Sequence, residues 1–156
     1  MNATDAGIKN ILLVDDEKSF LLSLAEGLKD SGVGLGILTA ENGRQALEAF
    51  RAGSRIDLLV TDLKMPEMNG FELLASVEKD FPGTRVIVLT AFVTPEIDEQ
   101  LKAIRDYVCI EKPVEFDELR RRIMYELGFV PGQGEMFGIK EDSGRFEFLT
   151  ETYLAP

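Results

Sequence analysis

The chain has 156 residues and a formal net charge of −11 at neutral pH, which argues against general binding to nucleic acids because that binding depends on basic surfaces. It contains no histidine and one cysteine, Cys109, so histidine-based catalysis, ordinary zinc sites and intrachain disulfides are excluded. No apolar segment approaches the roughly 20 residues of a membrane-spanning helix, and the cysteine content fits a reducing compartment, so we expect a cytoplasmic protein.

The first half of the chain alternates between strand and helix patterns. Residues 8–14 end in a continuous apolar run, which is typical of a strand buried on both faces. Apolar residues at helical spacing follow, and the Ser-Gly pair at residues 31–32 predicts the end of that helix. Residues 35–40 predict a second strand, and Asn42 is a candidate cap for the next helix. Residues 56–60 predict a third strand, with another amphipathic helix after it.

The second half continues this alternation. Residues 85–89 are apolar and β-branched, and they predict a fourth strand. Thr94 and Pro95 favour a helix start, and the following helix stripe extends to Ile104. Residues 107–110 predict a fifth strand, and Gly128 marks the end of a last helix. Five successive strand–helix units predict an α/β fold with a doubly wound, five-stranded parallel sheet.

Polar residues follow four of the predicted strands, and these residues are Asp15, Asp16, Asp62, Thr90 and Lys112. In a parallel sheet, ligands bind beyond the carboxyl ends of the strands, where the strand order reverses. Carboxylates that converge there repel one another, and a hard divalent cation such as Mg²⁺ relieves that repulsion. Each residue taken alone is more simply a turn residue or a helix cap. Their combination with an ammonium and a hydroxyl favours a phosphoryl site.

Four segments in chain order resemble the receiver domain of two-component response regulators. They read LLVDDEKS, TDLKMPEMNG, VIVLTAF and IEKPVEFDEL, and the resemblance covers residues 8–127. It implies a flavodoxin-like (βα)5 fold with strand order 2-1-3-4-5. We therefore expect a receiver domain at residues 8–127 and a C-terminal extension at residues 128–156.

The resemblance also implies roles for the site residues. Asp62 would be the phosphoacceptor. The metal ligands for Mg²⁺ would be Asp15, acting through water, Asp16, Asp62 and the backbone carbonyl of Lys64. The phosphoryl donor would be a phospho-histidine on a sensor histidine kinase or a phosphotransfer protein. This is nucleophilic transfer to a carboxylate, and the chain would catalyse only its own phosphorylation and autodephosphorylation.

Two further residues would respond to the phosphoryl group. Lys112 would contact its oxygens, and Thr90 would move toward it. The response would reach an unknown effector protein by direct contact, with a second copy of the chain as a further candidate partner and no role for nucleic acid or membrane. The bulky Phe92, near the path of an attacking water, predicts slow loss of the phosphoryl group, and surface packing alone is the alternative role for this side chain.

Some positions depart from the family pattern. Cys109 stands where receivers commonly have Tyr or Phe, and Tyr107 would share its face of the strand by alternation. Tyr107 is thus a candidate substitute, and a buried Cys109 without a switching role is the simpler interpretation. Arg105 and Asp106 replace the usual Gly-Ala. These departures suggest one alternative, an interaction module that does not use phosphorylation. A separate alternative, from another functional class, is a Mg²⁺-dependent phosphatase or phosphotransferase acting on a small substrate.

The C-terminal extension is rich in aromatic residues, which are Phe137, Phe146, Phe148 and Tyr153. Residues 136–140 and 145–149 predict two strands of a β-hairpin. An isolated hairpin is marginally stable in water, so it would pack on its own receiver, on a second subunit or on an effector. A loosely ordered chain end is the alternative.

Overall fold

The computed structural model describes residues 8–30, 34–65, 67–91, 93–129, 139–142 and 145–148. The predicted helix end at residues 31–32 lies outside these residues, as do Phe92, Phe137 and Tyr153. Within the described residues, no helix has the length and apolar character needed to cross a membrane.

Five parallel strands of the described chain form one sheet in the order β2-β1-β3-β4-β5. They are β1 (Lys9–Val14), β2 (Leu35–Ala40), β3 (Leu58–Asp62), β4 (Arg85–Thr90) and β5 (Val108–Glu111). The predicted doubly wound sheet and its strand order are therefore confirmed. The central strands β1, β3 and β4 consist largely of buried apolar residues because helices cover the sheet on both faces.

Five helices of the described chain pack on this sheet. They are α1 (Lys18–Lys29), α2 (Gly43–Arg51), α3 (Gly70–Asp80), α4 (Pro95–Lys102) and α5 (Phe116–Glu126). Helices α2, α3 and α4 share one core cluster with Leu12 and Val14 of β1, whereas α1 and α5 share the other cluster with Ile11 and Leu13. Alternate residues of β1 thus contribute to two cores on opposite faces of the sheet.

Side-chain caps fix where three helices begin. Asn42 accepts a hydrogen bond from the Gln45 N–H at 2.8 Å, and Thr94 accepts one from the Ile97 N–H at 3.2 Å. Both caps were predicted from the sequence. Asn69 forms a reciprocal capping box with Glu72 at the start of α3. Each such cap stabilises its helix by about 1 kcal/mol. The caps at Asn42 and Asn69 fix the first residues of α2 and α3 near the carboxyl ends of the strands.

The connection between α4 and β5 differs slightly from the prediction. Helix α4 ends at Lys102, so Ile104 lies beyond it, and β5 begins at Val108 rather than at residue 107. The guanidinium of Arg105 makes several contacts in this connection. It donates hydrogen bonds to Glu78 Oε2 at 3.0 Å and to the Thr84 carbonyl at 3.4 Å, and it lies 4.8 Å from the centroid of the Tyr107 ring. These contacts restrain Arg105 and Tyr107, which lie between the end of α4 and the start of β5.

The C-terminal extension contains two antiparallel strands, β6 (Ile139–Asp142) and β7 (Arg145–Phe148). Their register pairs Ile139 with Phe148 and Asp142 with Arg145. These strands form a sheet of their own, and β7 lies beside β5, an edge strand of the main sheet.

The turn between β3 and α3 closes tightly on Gly70. The Gly70 N–H donates to the Leu63 carbonyl at 2.8 Å, and a Cβ atom at Gly70 would lie 2.5 Å from the Asp62 carbonyl oxygen. We expect Gly70→Ala to lower the free energy of unfolding by about 2 kcal/mol, because backbone atoms must shift to accept the methyl group. Urea unfolding monitored by circular dichroism measures this.

Gly83→Ala is the matched control, because a Cβ there meets no heavy atom of the described residues within 4 Å. We expect that change to alter the free energy of unfolding by less than about 0.5 kcal/mol. Equal effects of the two substitutions would contradict the close approach at Gly70.

Candidate functional site

Three carboxylates meet at the carboxyl ends of β1 and β3. Val14 lies opposite Thr61 in the parallel register, so Asp15 and Asp62 come next to each other one residue further along. Each of Asp15, Asp16 and Asp62 offers a carboxylate oxygen, and these oxygens lie within 4.8 Å of one another. Asp15 is buried, Asp62 is partly buried and Asp16 is exposed. The cluster is therefore open to solvent on one side.

Lys112 supplies the positive charge of the site. Its Nζ donates to Asp15 Oδ2 at 2.6 Å and to Asp62 Oδ2 at 3.1 Å, so a single ammonium bridges both carboxylates. The Lys112 backbone N–H donates to the Thr90 carbonyl at 2.8 Å, which fixes the residue just beyond β5. Its Nζ also lies 5.0 Å from the centroid of the Phe20 ring.

Two opposing influences set the pKa of Lys112. Burial lowers this pKa and is the largest single influence, but the hydrogen bonds to Asp15 and Asp62 and the charges of those carboxylates together raise it above its ordinary value. The ammonium therefore stays protonated throughout the physiological pH range. The site has a fixed positive charge beside its carboxylates.

Backbone amides orient the carboxylate of Asp62. Its Oδ1 accepts hydrogen bonds from the N–H groups of Leu63 at 2.6 Å and Lys64 at 3.3 Å. Its Oδ2 is the atom that contacts Lys112. Asp15 Oδ1 similarly accepts from the Glu17 N–H at 2.9 Å. Both carboxylates are thus held by their own turns before any ligand binds, which reduces the reorganisation that binding requires.

The hydroxyl-bearing residue of the site is Thr90, the last residue of β4. Leu89 is paired with Asp62, so Thr90 lies one residue beyond that pair at the same edge of the sheet. Its side chain is buried, and Glu111 is its register partner on β5. Lys64 lies in the turn after β3 and is exposed. The structure therefore brings together the carboxylates and Lys112, with Thr90 on the neighbouring strand.

One residue of the site was predicted only as part of a helix stripe. Phe20 lies in the first turn of α1, which begins two residues after Asp16. A helix that starts directly after the acidic pair places its first turn near the carboxyl ends of the strands. The contact with Lys112 was not visible in the local sequence, because 92 positions separate Phe20 from Lys112.

The donor set fits a hard divalent cation. Carboxylate oxygens are the ligands that Mg²⁺ prefers, and Asp15, Asp16 and Asp62 place three of them within one small volume. One ammonium cannot neutralise three carboxylates, so the cluster retains net negative charge. A cation with open positions for further oxygen ligands is therefore electrostatically favoured.

Cys109 and Tyr107 pack on the same core cluster, as strand alternation predicted. Cys109 is partly buried, and burial raises the pKa of its thiol to about 11, with the charges of Asp98 and Asp106 adding to the effect. Tyr107 precedes β5, at the opposite end of that strand from Lys112, and Arg105 lies over its ring. The contact with Arg105 favours a packing role for Tyr107. The burial of Cys109 against the same core cluster favours a packing role for that side chain as well.

Comparison with known proteins gives consistent matches. Residues 11–124 match the model of the response regulator receiver domain. A response regulator receiver protein of Anaeromyxobacter sp. (strain Fw109-5) is 41% identical over 98 residues, which are 63% of this chain and 39% of that protein. The transcriptional regulatory protein GlrR of Escherichia coli (strain K12) is 36% identical over 116 residues, 73% of this chain and 25% of GlrR.

A solved structure gives the same result. The response regulator receiver domain protein (CheY-like) from Methanospirillum hungatei JF-1 superposes with a TM-score of 0.67 at 30% identity, covering 77% of this chain and 94% of that one. By contrast, this chain spans only 39% and 25% of the lengths of the two curated relatives. The similarity is therefore to one domain of those proteins.

The thiol of Cys109 gives a direct test of the packing on β5. Alkylation requires the thiolate form of the cysteine. With a pKa of about 11, the fraction of Cys109 that is thiolate at pH 8 is lower than that of an ordinary cysteine by at least about 100-fold. We expect iodoacetamide to modify the folded chain correspondingly slowly, with the rate rising about tenfold per pH unit between pH 8 and pH 10. Intact mass spectrometry follows this reaction, and the chain has only this one cysteine.

Unfolding in guanidinium chloride provides the control, because the exposed thiol then reacts at the rate of a free cysteine. If the folded chain also reacts at that rate at pH 8, the thiol is not buried as described.

Proposed function

The chain belongs to the response regulator receiver family, and on that premise we propose that it accepts one phosphoryl group on the carboxylate of Asp62. The observation that carries this proposal is the bridging of Asp15 and Asp62 by the Lys112 ammonium, at 2.6 and 3.1 Å. A carboxylate nucleophile beside a fixed positive charge suits phosphoryl transfer, in which positioning and charge neutralisation dominate catalysis.

The chemical step is a displacement at phosphorus. A carboxylate oxygen of Asp62 forms the new bond, and the bond from phosphorus to the donor's imidazole nitrogen breaks. That nitrogen keeps the bonding electron pair and gains a proton from solvent, so the products are neutral imidazole and an acyl phosphate. Water later attacks the phosphorus, which releases inorganic phosphate and restores the carboxylate. The chain therefore modifies itself and turns over no separate substrate.

Mg²⁺ is the proposed cofactor, held by Asp15, Asp16, Asp62 and the backbone carbonyl of Lys64. The cluster of three carboxylate oxygens within 4.8 Å supports this assignment. When bound, the cation supplies charge neutralisation at the phosphoryl oxygens. The amides of Leu63 and Lys64 keep the Asp62 carboxylate oriented.

Lys112 and Thr90 are assigned to the phosphoryl group itself. We propose that the ammonium of Lys112 binds one phosphoryl oxygen as a point charge and that the Thr90 hydroxyl donates to another. The position of Thr90 at the end of β4 and the raised pKa of Lys112 support these roles. Movement of Thr90 would then report phosphorylation to β5, its neighbour in the sheet.

The proposed partners are proteins. The donor is a phospho-histidine on a sensor histidine kinase or a phosphotransfer protein, and the receiver of the signal is an effector protein or a second copy of the chain. A cytoplasmic location is part of the proposal, and the net charge of −11 supports a signalling role without direct nucleic-acid binding. This chain spans only 25% of the transcriptional regulatory protein GlrR, so no transcriptional role is proposed for it.

A second candidate function is an interaction module that does not use phosphorylation. The observation in its favour is the packing around β5, where Cys109 replaces an aromatic side chain and Arg105 anchors Tyr107. Such a module would keep the acidic cluster but would respond to binding at the β5 side of the domain instead.

The extension at residues 128–156 is proposed to be separate from the receiver domain at residues 8–127. Of the three packing partners expected for its hairpin, we favour the receiver of the same chain, because β7 lies beside β5. The hairpin would then be an accessory that covers one edge of an already complete domain.

Phosphorylation is tested with acetyl phosphate and Mg²⁺, followed by intact mass spectrometry. We expect one phosphoryl adduct on the wild-type chain and none on Asp62→Asn, because the amide cannot act as the nucleophile. Asp80→Asn is the matched control, since Asp80 is an exposed aspartate at the end of α3, and it should be phosphorylated like wild type. No adduct on the wild-type chain would favour the interaction module, and an adduct that persists in Asp62→Asn would contradict the assigned nucleophile.

The domain boundary is tested with a shortened chain that ends at Phe129. This residue packs on the core cluster that α1 and α5 share. We expect the free energy of unfolding of the shortened chain to lie within about 1 kcal/mol of that of the full chain, because the five-stranded sheet and both cores are retained. Amide hydrogen exchange in β5 should become faster. Failure of the shortened chain to fold would show that the extension belongs to the domain.

A further inference from the structure

The turn after Asp62 contacts the start of α2, an element to which the proposed function gives no role. Asn42 Nδ2 donates to Glu67 Oε2 at 2.7 Å. One residue further along each segment, the Gly43 N–H donates to the Met68 carbonyl at 3.2 Å. Two adjacent hydrogen bonds, one from a side chain and one from the backbone, thus join this turn to the amino end of α2.

Asn42 uses both ends of its amide. Its Oδ1 accepts from the Gln45 N–H at 2.8 Å and caps α2, while its Nδ2 reaches Glu67. An amide can accept at the cap and donate to a carboxylate at the same time, whereas an ionised aspartate could only accept. Asn42 is also buried, with 7% of its surface exposed, so its orientation is fixed by its surroundings.

The two segments fit closely where they meet. A Cβ atom at Gly43 would lie 2.5 Å from the Met68 carbonyl oxygen, so only glycine allows this approach. Glu67 has a φ of +65°, a left-handed conformation that costs about 1 kcal/mol for a residue with a side chain. The hydrogen bonds to α2 stabilise the turn in this conformation.

The segment between these contacts carries Lys64. On one side, the Gly70 N–H holds the Leu63 carbonyl at 2.8 Å. On the other side, Glu67 is held by Asn42. The backbone of Lys64 is therefore restrained from both directions, although its side chain is exposed.

We propose that Asn42 and Glu67 are positioning residues, which hold the turn so that the Lys64 carbonyl faces the cation site. This inference rests on the proposed function, which assigns that carbonyl as a ligand. A small divalent cation needs its oxygen ligands at nearly fixed distances, so a turn that shifts by a fraction of an ångström binds it less well. The start of α2 thereby becomes part of the apparatus that sets cation affinity.

The test variant is Asn42→Asp, which retains an oxygen to cap α2 but places a carboxylate against that of Glu67. We expect the Kd for Mg²⁺, measured by calorimetry, to rise about tenfold, the low end of the range for residues that support metal ligands. The Mg²⁺ concentration that half-saturates phosphorylation by acetyl phosphate should rise equally, with the rate at saturating Mg²⁺ unchanged within about twofold.

A measurement on the metal-free protein shows whether Asn42 positions the turn, independently of any effect on phosphorylation. In the metal-free protein, amide hydrogen exchange at Lys64 and its neighbours in the turn should be faster in Asn42→Asp than in wild type, with α3 unaffected. In the double variant Asn42→Asp/Glu67→Gln, the amide at position 67 donates to the carboxylate at position 42, which reverses the direction of the wild-type hydrogen bond. We expect this variant to restore both the Kd for Mg²⁺ and the exchange rates.

Arg44→Ala is the matched control. The Arg44 guanidinium lies 3.5 Å from Glu67 Oε1, but both side chains are more than half exposed, so this ion pair contributes little. We expect Arg44→Ala to leave the Kd for Mg²⁺ and the exchange rates within about twofold of wild type.

Three results would overturn the inference. They are an unchanged Kd in Asn42→Asp, an unchanged exchange rate in the turn of that variant, and a double variant that is no better than the single one. If wild type binds Mg²⁺ but takes no phosphoryl group, the proposed function fails while the Kd and exchange rates still decide the role of Asn42. If wild type binds no Mg²⁺, both proposals fail.

Discussion

The repulsion among Asp15, Asp16 and Asp62 is the constraint around which this domain is organised. Two carboxylates at 4 Å repel each other by about 4 kcal/mol near a protein surface, and the parallel register of β1 and β3 places Asp15 and Asp62 side by side. Lys112 offsets part of this repulsion, although it follows β5 at the edge of the sheet. Its long side chain reaches back across the ends of β4 and β3 to contact Asp62 and Asp15.

Several hydrogen bonds restrain the loops around the carboxyl ends of the strands. The Lys112 N–H is held by the Thr90 carbonyl, Gly70 closes the turn after Asp62, and Asn42 holds the far side of that turn. Each of these contacts fixes a loop, and loops are otherwise the least restrained parts of an α/β domain. The carboxylates are thereby kept close together in spite of their charge.

The sequence was sufficient to predict the fold and to name the carboxylates that meet at the carboxyl ends of the strands, for reasons that are local. The apolar runs of β1 and β4, the caps at Asn42 and Thr94, and the acidic residues directly after β1 and β3 are all visible within a few residues. The bridging by Lys112, the three contacts of Arg105 and the bond from Asn42 to Glu67 are not. Apart from the contact between Arg105 and Tyr107, they join residues at least 21 positions apart in sequence, and each depends on a rotamer that is selected only once the sheet has formed.

The region around Arg105 has the opposite character to the charged end of the sheet. Here the Arg105 guanidinium contacts the Glu78 carboxylate, the Thr84 carbonyl and the Tyr107 ring. Each of these three contacts is attractive, unlike the contacts among the carboxylates at the other end of the sheet. The amino end of β5 is therefore fixed by favourable contacts. At its carboxyl end, the strand is fixed by Lys112, whose position depends on the acidic residues.

The shortness of β5 also has a consequence for solubility at high concentration. An edge strand presents unpaired backbone groups that can recruit a strand from another molecule, and long flat edges aggregate readily. With only four residues, Val108–Glu111, β5 presents few such groups, and β7 lies beside it. Edge-to-edge pairing between molecules on this side of the sheet is therefore disfavoured by strand length and by coverage.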